Sequence, residues 1–224
     1  MTDILLIRHG QASLGGDNYD QLSPLGEIQA QWLAEYCLEA GLGGPIDLYT
    51  GAMARQHQTA APLIDRLQIH TQREDAGFNE YDFESVVLAY LSANPSYPLP
   101  AQPTSTDLYT LLRAAVQAWS TDELALNQEQ ETWIGFHHRV ANAWHRLVAQ
   151  VTGTTLLVTS GGVIASILRQ LQGLDNSATI DLNLSIQNAS ITRLVKNSHG
   201  YTLAEFNDIP HLTGAERAHA ITFA

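Results

Sequence analysis

The sequence predicts a single α/β domain over residues 1–224, with a mostly parallel central sheet flanked by helices on both faces. Short, almost wholly apolar strands alternate with longer segments whose apolar residues recur at helical spacing, which is the pattern of βα units. The strands lack the in–out alternation of a sheet with one solvated face, so a sheet covered on both sides is expected. A chain of 224 residues can also bury one sizeable core.

Five apolar runs are the predicted strands. They are Ile4–Ile7, Ile46–Tyr49, Leu156–Thr159, Ile191–Val195 and Tyr201–Phe206. In a largely parallel sheet the carboxyl ends of the strands share one edge, and α/β proteins bind their ligands there. Functional side chains are therefore expected just after the strands end.

Four helices are predicted between these strands. The first follows Ser23, a good N-cap, has Pro24 at its first position and stops at Gly41. The second is expected from about Ala54 to Gln68. The third carries Trp133, Phe136, Val140, Trp144, Leu147 and Val151 on one face, and the fourth runs from about Val163 to Leu171 and ends at Gly173.

Composition and charge narrow the classes of function. The formal net charge is −12, and an acidic surface repels a phosphate backbone, so no nucleic-acid partner is expected. The sequence has no apolar run long enough for a membrane span and no visible secretory signal. A single cysteine, Cys37, fits a reducing compartment, and we expect a cytoplasmic protein.

Arg8-His9-Gly10 follows the first predicted strand directly. A strand end that meets solvent would explain this triplet if it stood alone. After the next strand, however, Arg55 lies in the first turn of the second predicted helix, at the same edge of a parallel sheet. Arginine binds phosphate or carboxylate with two parallel hydrogen bonds, so Arg8, His9 and Arg55 together predict an anion site.

Six motifs in this order resemble those of the histidine phosphatase, or phosphoglycerate-mutase-like, superfamily. They are Arg8-His9-Gly10, "DQLSPLG" (20–26), "ARQHQTA" (54–60), "FNE" (78–80), "SGGVI" (160–164) and "NASITRL" (188–194). The resemblance implies a phosphoglycerate-mutase-like fold and a phosphatase that acts on a small phosphorylated molecule. The histidines are not spaced as on a zinc-binding helix, and we expect neither a metal nor a cofactor. The family's mutase-type acid motif is absent, which favours hydrolysis over isomerisation.

The resemblance also implies roles for particular residues. His9 would be the nucleophile that forms a phosphohistidine, with Gly10 allowing a close backbone turn. Arg8 and Arg55 would bind the phosphoryl group. Glu80 would be the general acid, although "YDFESVV" replaces the Gly-rich run that usually follows the acid, so Asp82 and Glu84 are kept as reserves.

The main departure from the family pattern is Ser160. The family normally has a second histidine at this position, and here Ser160 and Gly161 follow the strand. We expect Ser160 to cap the next helix and also to contact phosphate, with Gly161 and the helix N-terminus contributing N–H groups to an anion site. The loss of the histidine leaves open a second interpretation, a weakened or inactive member that binds phosphorylated ligands.

The segment 84–130 is predicted to be a helical and proline-rich lid inserted in the domain. Its stretch Asn94–Thr106 holds four prolines in ten residues, which excludes helix interior. Tyr and Leu are frequent in this segment and there are few charges beyond Asp107 and Arg113, which favours an organic rather than a highly charged leaving group. The same residues would also suit a core or a homodimer surface, and the oligomeric state stays open.

A third interpretation is a serine hydrolase. Strand, Ser160, two glycines and helix have the outline of a nucleophile elbow, and the candidate partners Asp175, Asp181 and His199 follow in hydrolase order. Val158 stands where the elbow requires a small residue, and this hypothesis leaves the Arg8-His9 pair and Arg55 unexplained.

Overall fold

The structure, a computed structural model, describes residues 3–13, 20–42 and 44–223. Six strands of this described part form one sheet, in the order β3-β2-β4-β1-β5-β6. They are β1 (Asp3–Arg8), β2 (Ile46–Thr50), β3 (Ile69–Glu74), β4 (Thr155–Thr159), β5 (Ile191–Asn197) and β6 (Gly200–Asp208). The first four are mutually parallel, whereas β5 and β6 add antiparallel strands at one side. The predicted, mostly parallel α/β class is confirmed.

One strand, β3, was not predicted. Its sequence, Ile-His-Thr-Gln-Arg-Glu, is polar because β3 is an edge strand whose side chains are mostly exposed. An edge strand needs only one hydrogen-bonded neighbour and little apolar surface. The strand also shortens the preceding helix, which ends at Arg66 rather than Gln68 because Leu67 is already extended.

Seven helices belong to the described ranges. They are α1 (Pro24–Glu39), α2 (Ala54–Arg66), α3 (Phe83–Ala93), α4 (Ser105–Ser120), α5 (Trp133–Val148), α6 (Gly161–Gln172) and α7 (Asn176–Ser185). Ser23 caps α1 as predicted, because its hydroxyl accepts a 3.0 Å hydrogen bond from the Gly26 amide. Gly173, in the left-handed conformation with φ of 68°, ends α6.

The sheet is covered on both faces, as predicted. Leu5 and Ile7 of β1 belong to an apolar cluster with residues of α1 and α2. Ile4 and Leu6 point to the opposite face and join a larger cluster with residues of α4, α5 and α6. This alternation follows from the pleat of a strand, which directs successive side chains to opposite faces. The two cores fix the positions of the strand ends.

The segment between β3 and α5 holds two helices, α3 and α4, joined by an irregular stretch in which the prolines lie. The aromatic ring of Trp119, at the end of α4, is almost fully buried and packs against Tyr81, Trp133 and Phe136. Its indole N–H donates to the Glu131 carbonyl at 3.0 Å. The end of α4 is therefore anchored to the main core.

Within the described ranges, none of the helices combines the length and the apolar character needed to span a lipid bilayer.

Candidate active site

The carboxyl ends of β1, β2 and β4 meet at one edge of the sheet. Arg8 pairs with Thr159 in the register of β1 and β4, and the His9 amide donates to the Thr159 carbonyl at 2.9 Å. Thr50, the last residue of β2, pairs with Val158 on the other side of β4. His9, Ser160 and the start of α2 therefore lie together, as the parallel topology predicted.

The His9 ring is held with one nitrogen available. Its Nδ1 atom lies 2.7 Å from the Gly10 carbonyl oxygen, and because a carbonyl can only accept, Nδ1 carries the proton. Nε2 therefore keeps its lone pair and accepts a 3.1 Å hydrogen bond from Nε of Arg55. The side chain is buried, with only 3% of its surface exposed. The unprotonated nitrogen of His9 is therefore in direct contact with a guanidinium group.

The environment of His9 keeps the imidazole neutral. Burial lowers the pKa of His9 well below its usual value, and the positive charges of Arg8 and Arg55 lower this pKa further. The Gly10 carbonyl acts in the opposite direction but is the weakest of these effects. A neutral ring with a fixed proton is the form that can act as a nucleophile.

Arg55 is positioned by Asp20. Its guanidinium is 2% exposed and its Nη1 donates to Asp20 Oδ1 at 2.8 Å. The other Asp20 oxygen accepts from the Ala54 amide at 2.9 Å, so the same carboxylate also satisfies the start of α2. One acidic side chain thus fixes both the helix and the arginine that the helix presents.

Arg8 is held by backbone carbonyls. Its Nη1 donates to the carbonyl of Ile186, just after α7, and at 2.7 Å to the carbonyl of Phe223 near the C-terminus. Its backbone amide donates to the Ser190 carbonyl at 3.1 Å. The positive charge of Arg8 is one of the causes that lower the pKa of His9.

The carboxyl group of Glu80 lies at the N-terminus of α6. Oε2 accepts from the Gly162 amide at 2.9 Å and Oε1 from the Tyr81 amide at 3.2 Å. Burial raises the pKa of Glu80, and the two amides, Arg55 and Arg8 offset part of that rise. A Cβ atom at residue 162 would lie 2.2 Å from Glu80 Oε1, so this contact requires glycine there.

The two alternative candidates for the general acid, Asp82 and Glu84, lie at the exposed start of α3. Asp82 and Glu84 are both exposed. Asp82 caps α3 by accepting hydrogen bonds from the amide and the hydroxyl of Ser85. Glu84 lies in the first turn of that helix. Of the three candidates, Glu80 is the one whose carboxyl group reaches the N-terminus of α6 and is affected by both arginines.

Ser160 occupies the N-cap position of α6, but the predicted capping bond is wrong. Its side chain makes no hydrogen bond to the helix amides. The fully buried hydroxyl instead accepts a 2.9 Å hydrogen bond from Nε2 of Gln56. Gly161 opens α6, and a Cβ atom there would lie 3.7 Å from Nε of Arg8. Gly161 thus lies beside Arg8, and the next residue, Gly162, contacts the Glu80 carboxyl.

The serine-hydrolase hypothesis is wrong on geometry. Ser160 takes its hydrogen bond from an amide, and its proposed partners lie apart from it. Asp175 caps α7, Asp181 pairs with Arg113 at 2.7 Å, and His199 is exposed beside Ser198. No base therefore contacts the Ser160 hydroxyl in the described ranges.

Four residues around His9 and Arg55 were not predicted from the sequence. They are Asp20, Gln56, Thr59 and Asn188. Thr59 accepts from the Gly10 amide at 3.0 Å, and Asn188 donates to the His9 carbonyl at 3.3 Å. All four lie inside the family motifs quoted above, and that position was the only indication of them in the sequence. Their hydrogen-bond partners could not be predicted because they are distant in the chain.

Gly10 is needed for a different reason from the one expected. Its φ is not positive, and the constraint is the close approach of α1, since a Cβ at residue 10 would lie 2.5 Å from the Gly26 carbonyl oxygen.

Among the described residues, no cluster of His, Cys, Asp and Glu is arranged to hold a metal ion.

Sequence comparison assigns the family. The profile of the histidine phosphatase superfamily (branch 1) matches residues 4–92 and 101–209, which is most of the chain. This protein belongs to the histidine phosphatase superfamily. No curated protein matches the sequence at a significant level.

Several solved structures that are similar to this chain are phosphatases. A mycobacterial glucosyl-3-phosphoglycerate phosphatase in complex with inorganic phosphate is 22% identical, with a TM-score of 0.65 over 95% of this chain and 100% of that one. YhfR of Bacillus stearothermophilus is 19% identical, with a TM-score of 0.65 over 94% and 99% of the two chains. A phosphoserine phosphatase variant from Entamoeba histolytica, in complex with phosphoserine, is 19% identical with a TM-score of 0.57 over 95% and 100%. These similarities establish the fold.

Proposed function

We propose that this histidine phosphatase superfamily member hydrolyses a small phosphate monoester through a phosphohistidine on His9. The observation that carries the proposal is the contact of His9 Nε2 with Arg55, at 3.1 Å, while Nδ1 is held by Gly10. This arrangement leaves Nε2 unprotonated and next to a positive charge; its lone pair, which accepts from Arg55 here, is the one that attacks phosphorus once the ester is bound.

The proposed reaction has two steps. Nε2 of His9 forms a bond to phosphorus while the bond from phosphorus to the ester oxygen breaks, and Glu80 gives its proton to the departing alkoxide. A water molecule then attacks phosphorus, its proton passes to the Glu80 carboxylate, and the P–N bond breaks with its electron pair returning to Nε2. The Nδ1 proton stays on the ring throughout, held by Gly10.

Arg8 and Arg55 would neutralise the charge on the equatorial phosphoryl oxygens. Phosphoryl transfer requires mainly positioning and charge stabilisation, and both guanidinium groups are held in place by hydrogen bonds to the rest of the protein. The N-terminus of α6, with Gly161 in its first turn, adds backbone N–H groups at the same side.

The decisive experiment is turnover of an aryl phosphate combined with rapid acid and alkaline quench. Release of phosphate with an alkali-stable, acid-labile phosphoenzyme supports the proposal. Binding of the ester without turnover and without phosphoenzyme would favour the alternative of a binding protein, which the replacement of the second histidine by Ser160 motivates.

The pH profile of kcat/KM is expected to be bell-shaped with an acidic optimum. A lowered pKa lets His9 remain neutral into acidic solution, and a raised pKa lets Glu80 stay protonated to higher pH than an ordinary glutamate. Activity should therefore rise with pH through the pKa of His9 and fall through that of Glu80. Steady-state kinetics between about pH 4 and 8 measure both limbs.

A Glu80→Gln variant tests the acidic group directly. It should lose about 10²–10⁴ in kcat on an alkyl phosphate, and much less on 4-nitrophenyl phosphate, whose leaving group needs little protonation. Glu84→Gln, an exposed neighbour on α3, is the matched control. Equal losses on both substrates would show that Glu80 is not the acid.

A cavity of about 450 Å³ lies beside Glu80, between the start of α3 and the segment before α5. Its walls include Glu80, Asp82, Glu129 and Glu131, and the described lining contains no lysine, arginine or histidine. Arg139 compensates Glu131 with a 2.7 Å ion pair, whereas Asp82 and Glu129 have no ion pair among the described residues. Of these acidic residues only Glu129 lies in the segment 84–130, so most of the negative charge comes from residues that flank the proposed lid.

The charge of this cavity should select the leaving group. Phosphoethanolamine and 2-phosphoglycolate have similar size and differ in carrying an ammonium or a carboxylate. We expect kcat/KM to favour the ammonium compound by about tenfold or more, since a like charge near an unpaired carboxylate costs about 1 kcal/mol or more in a partly buried site. An Asp82→Asn, Glu129→Gln double variant should lower this ratio, because asparagine still caps α3. A ratio unchanged from wild type would show that the leaving group does not enter the cavity.

A further inference from the structure

Gln56 and Ser160 form a buried hydrogen bond across the site, linking the first turn of α2 to the end of β4. Both side chains are fully buried, and Gln56 Nε2 lies 2.9 Å from Ser160 Oγ. Gln56 directly follows Arg55 in the chain, and Ser160 directly precedes Gly161. The pair therefore stands between two groups that the proposed function assigns to the phosphoryl group.

The orientation of the Gln56 amide is determined by its other partners. Nε2 donates its second hydrogen to the Phe78 carbonyl at 3.1 Å, and the Met53 amide donates to Oε1 at 3.3 Å. Turning the amide over would place a carbonyl against a carbonyl and two donors against each other. Ser160 must therefore be the acceptor of the bond from Gln56.

This bond leaves Ser160 as a donor. A hydroxyl has one hydrogen and two lone pairs, and Gln56 occupies a lone pair. No acceptor for the Ser160 O–H lies within hydrogen-bond range among the described residues. Both hydrogens of the Gln56 amide are used, so Gln56 itself has none left for a ligand.

We propose that Gln56 is a positioning residue that holds the Ser160 hydroxyl as a hydrogen-bond donor to the transferring phosphoryl group. The inference rests on the proposed function and adds to it how the site works with serine in place of a histidine. A serine hydroxyl does not titrate in the range where His9 and Glu80 do, so this donor contributes equally across the pH profile.

The test is a double-mutant cycle with Ser160→Ala, Gln56→Met and the double variant, assayed for kcat and KM on 4-nitrophenyl phosphate. Ser160→Ala should lower kcat by about 10²–10³, the usual cost of one preorganised donor, with little change in KM. Gln56→Met should lower kcat by about tenfold or more for the same reason. In the Ser160→Ala background, Gln56→Met should cost less than about threefold, because a residue that acts through another has no separate effect once that other is gone.

Gln58→Met is the matched control, since Gln58 lies on the same helix and accepts its hydrogen bond from the Leu22 amide, away from Ser160. It should keep the wild-type kcat. Losses that multiply in the double variant, or a Ser160→Ala variant with wild-type kcat, would overturn the inference while leaving the phosphatase proposal intact.

Orthovanadate affinity provides a second readout that does not need turnover. Ser160→Ala and Gln56→Met should each weaken vanadate binding, again without adding in the double variant. If the wild-type protein hydrolyses no ester, the phosphatase proposal fails, and the vanadate cycle still decides the inference. Unchanged vanadate affinity in folded Gln56→Met protein, verified by thermal melting, would overturn it.

Discussion

A His9→Asn variant is expected to lose turnover, with kcat lower by a factor on the order of 10⁴–10⁶, the size of loss that follows removal of a catalytic nucleophile. Asparagine can still donate from its amide to the Gly10 carbonyl, in the place of Nδ1, so the local backbone should remain as it is. It has no atom that can form the bond from Nε2 to phosphorus. The predicted result is a folded protein that binds phosphate esters and does not cleave them.

The matched control for this variant is His57→Asn. His57 lies two residues beyond Arg55, is about half exposed, and pairs with Glu74 at 2.9 Å on the outside of the molecule. Its replacement should leave kcat unchanged. Steady-state assays and acid-labile phosphoenzyme trapping measure both variants. A His9→Asn protein that still forms phosphoenzyme would place the nucleophile elsewhere.

The second large effect is expected for Arg55→Met. An arginine that stabilises a transferring phosphoryl group contributes about 10³–10⁵ in kcat, and Arg55 is the guanidinium in direct contact with His9 Nε2. Because the partner Asp20 is 39% exposed and can be solvated, loss of the ion pair should cost only about 1 kcal/mol of stability. A large loss of rate with a small loss of stability is the expected signature.

Removing the charge of Arg55 should also raise the pKa of His9, because Arg55 is one of the causes that lower it. The acid limb of the pH profile of any residual activity should therefore move to higher pH.

Arg55→Lys should recover only part of the rate, since an ammonium keeps the charge and loses the two-point geometry. Arg66→Met, which changes a partly exposed arginine at the end of the same helix, is the control. If Arg55→Met and Arg66→Met had the same small effect on kcat, Arg55 would not bind the phosphoryl group.

The periodic parts of the fold were predictable from the sequence. The buried strands β1 and β4 contain continuous apolar runs, and β2 is interrupted only by Asp47 before its last residue. Helices α1, α5 and α6 carry apolar faces and end signals that local chemistry explains. The elements that were missed are those without such a pattern. β3 is a polar edge strand, and α7, with the sequence Asn-Ser-Ala-Thr-Ile-Asp-Leu-Asn-Leu-Ser, buries little more than Ile180 and Thr179. Their structure depends on neighbours supplied by the rest of the chain.

The residues of the site likewise divide into those that could be predicted from the sequence and those that could not. The positions of His9 and Arg55 could be predicted, because each follows a parallel strand and such strands share one edge. The hydrogen-bond partner of Ser160 could not, because serine at the start of a helix is an ordinary cap, and the bond from Gln56 that replaces capping spans 104 residues of sequence.

The amino-acid sequence alone determined the βα order, the edge at which the site forms and the residue types that meet there, since these depend on local periodicity and on the fixed direction of parallel strands. The tertiary structure alone decided which nitrogen of His9 is free, how Asp20 holds Arg55 and how Gln56 holds Ser160. Such choices are made by hydrogen bonds between residues far apart in the chain, and those bonds exist only once the core has brought the strand ends together.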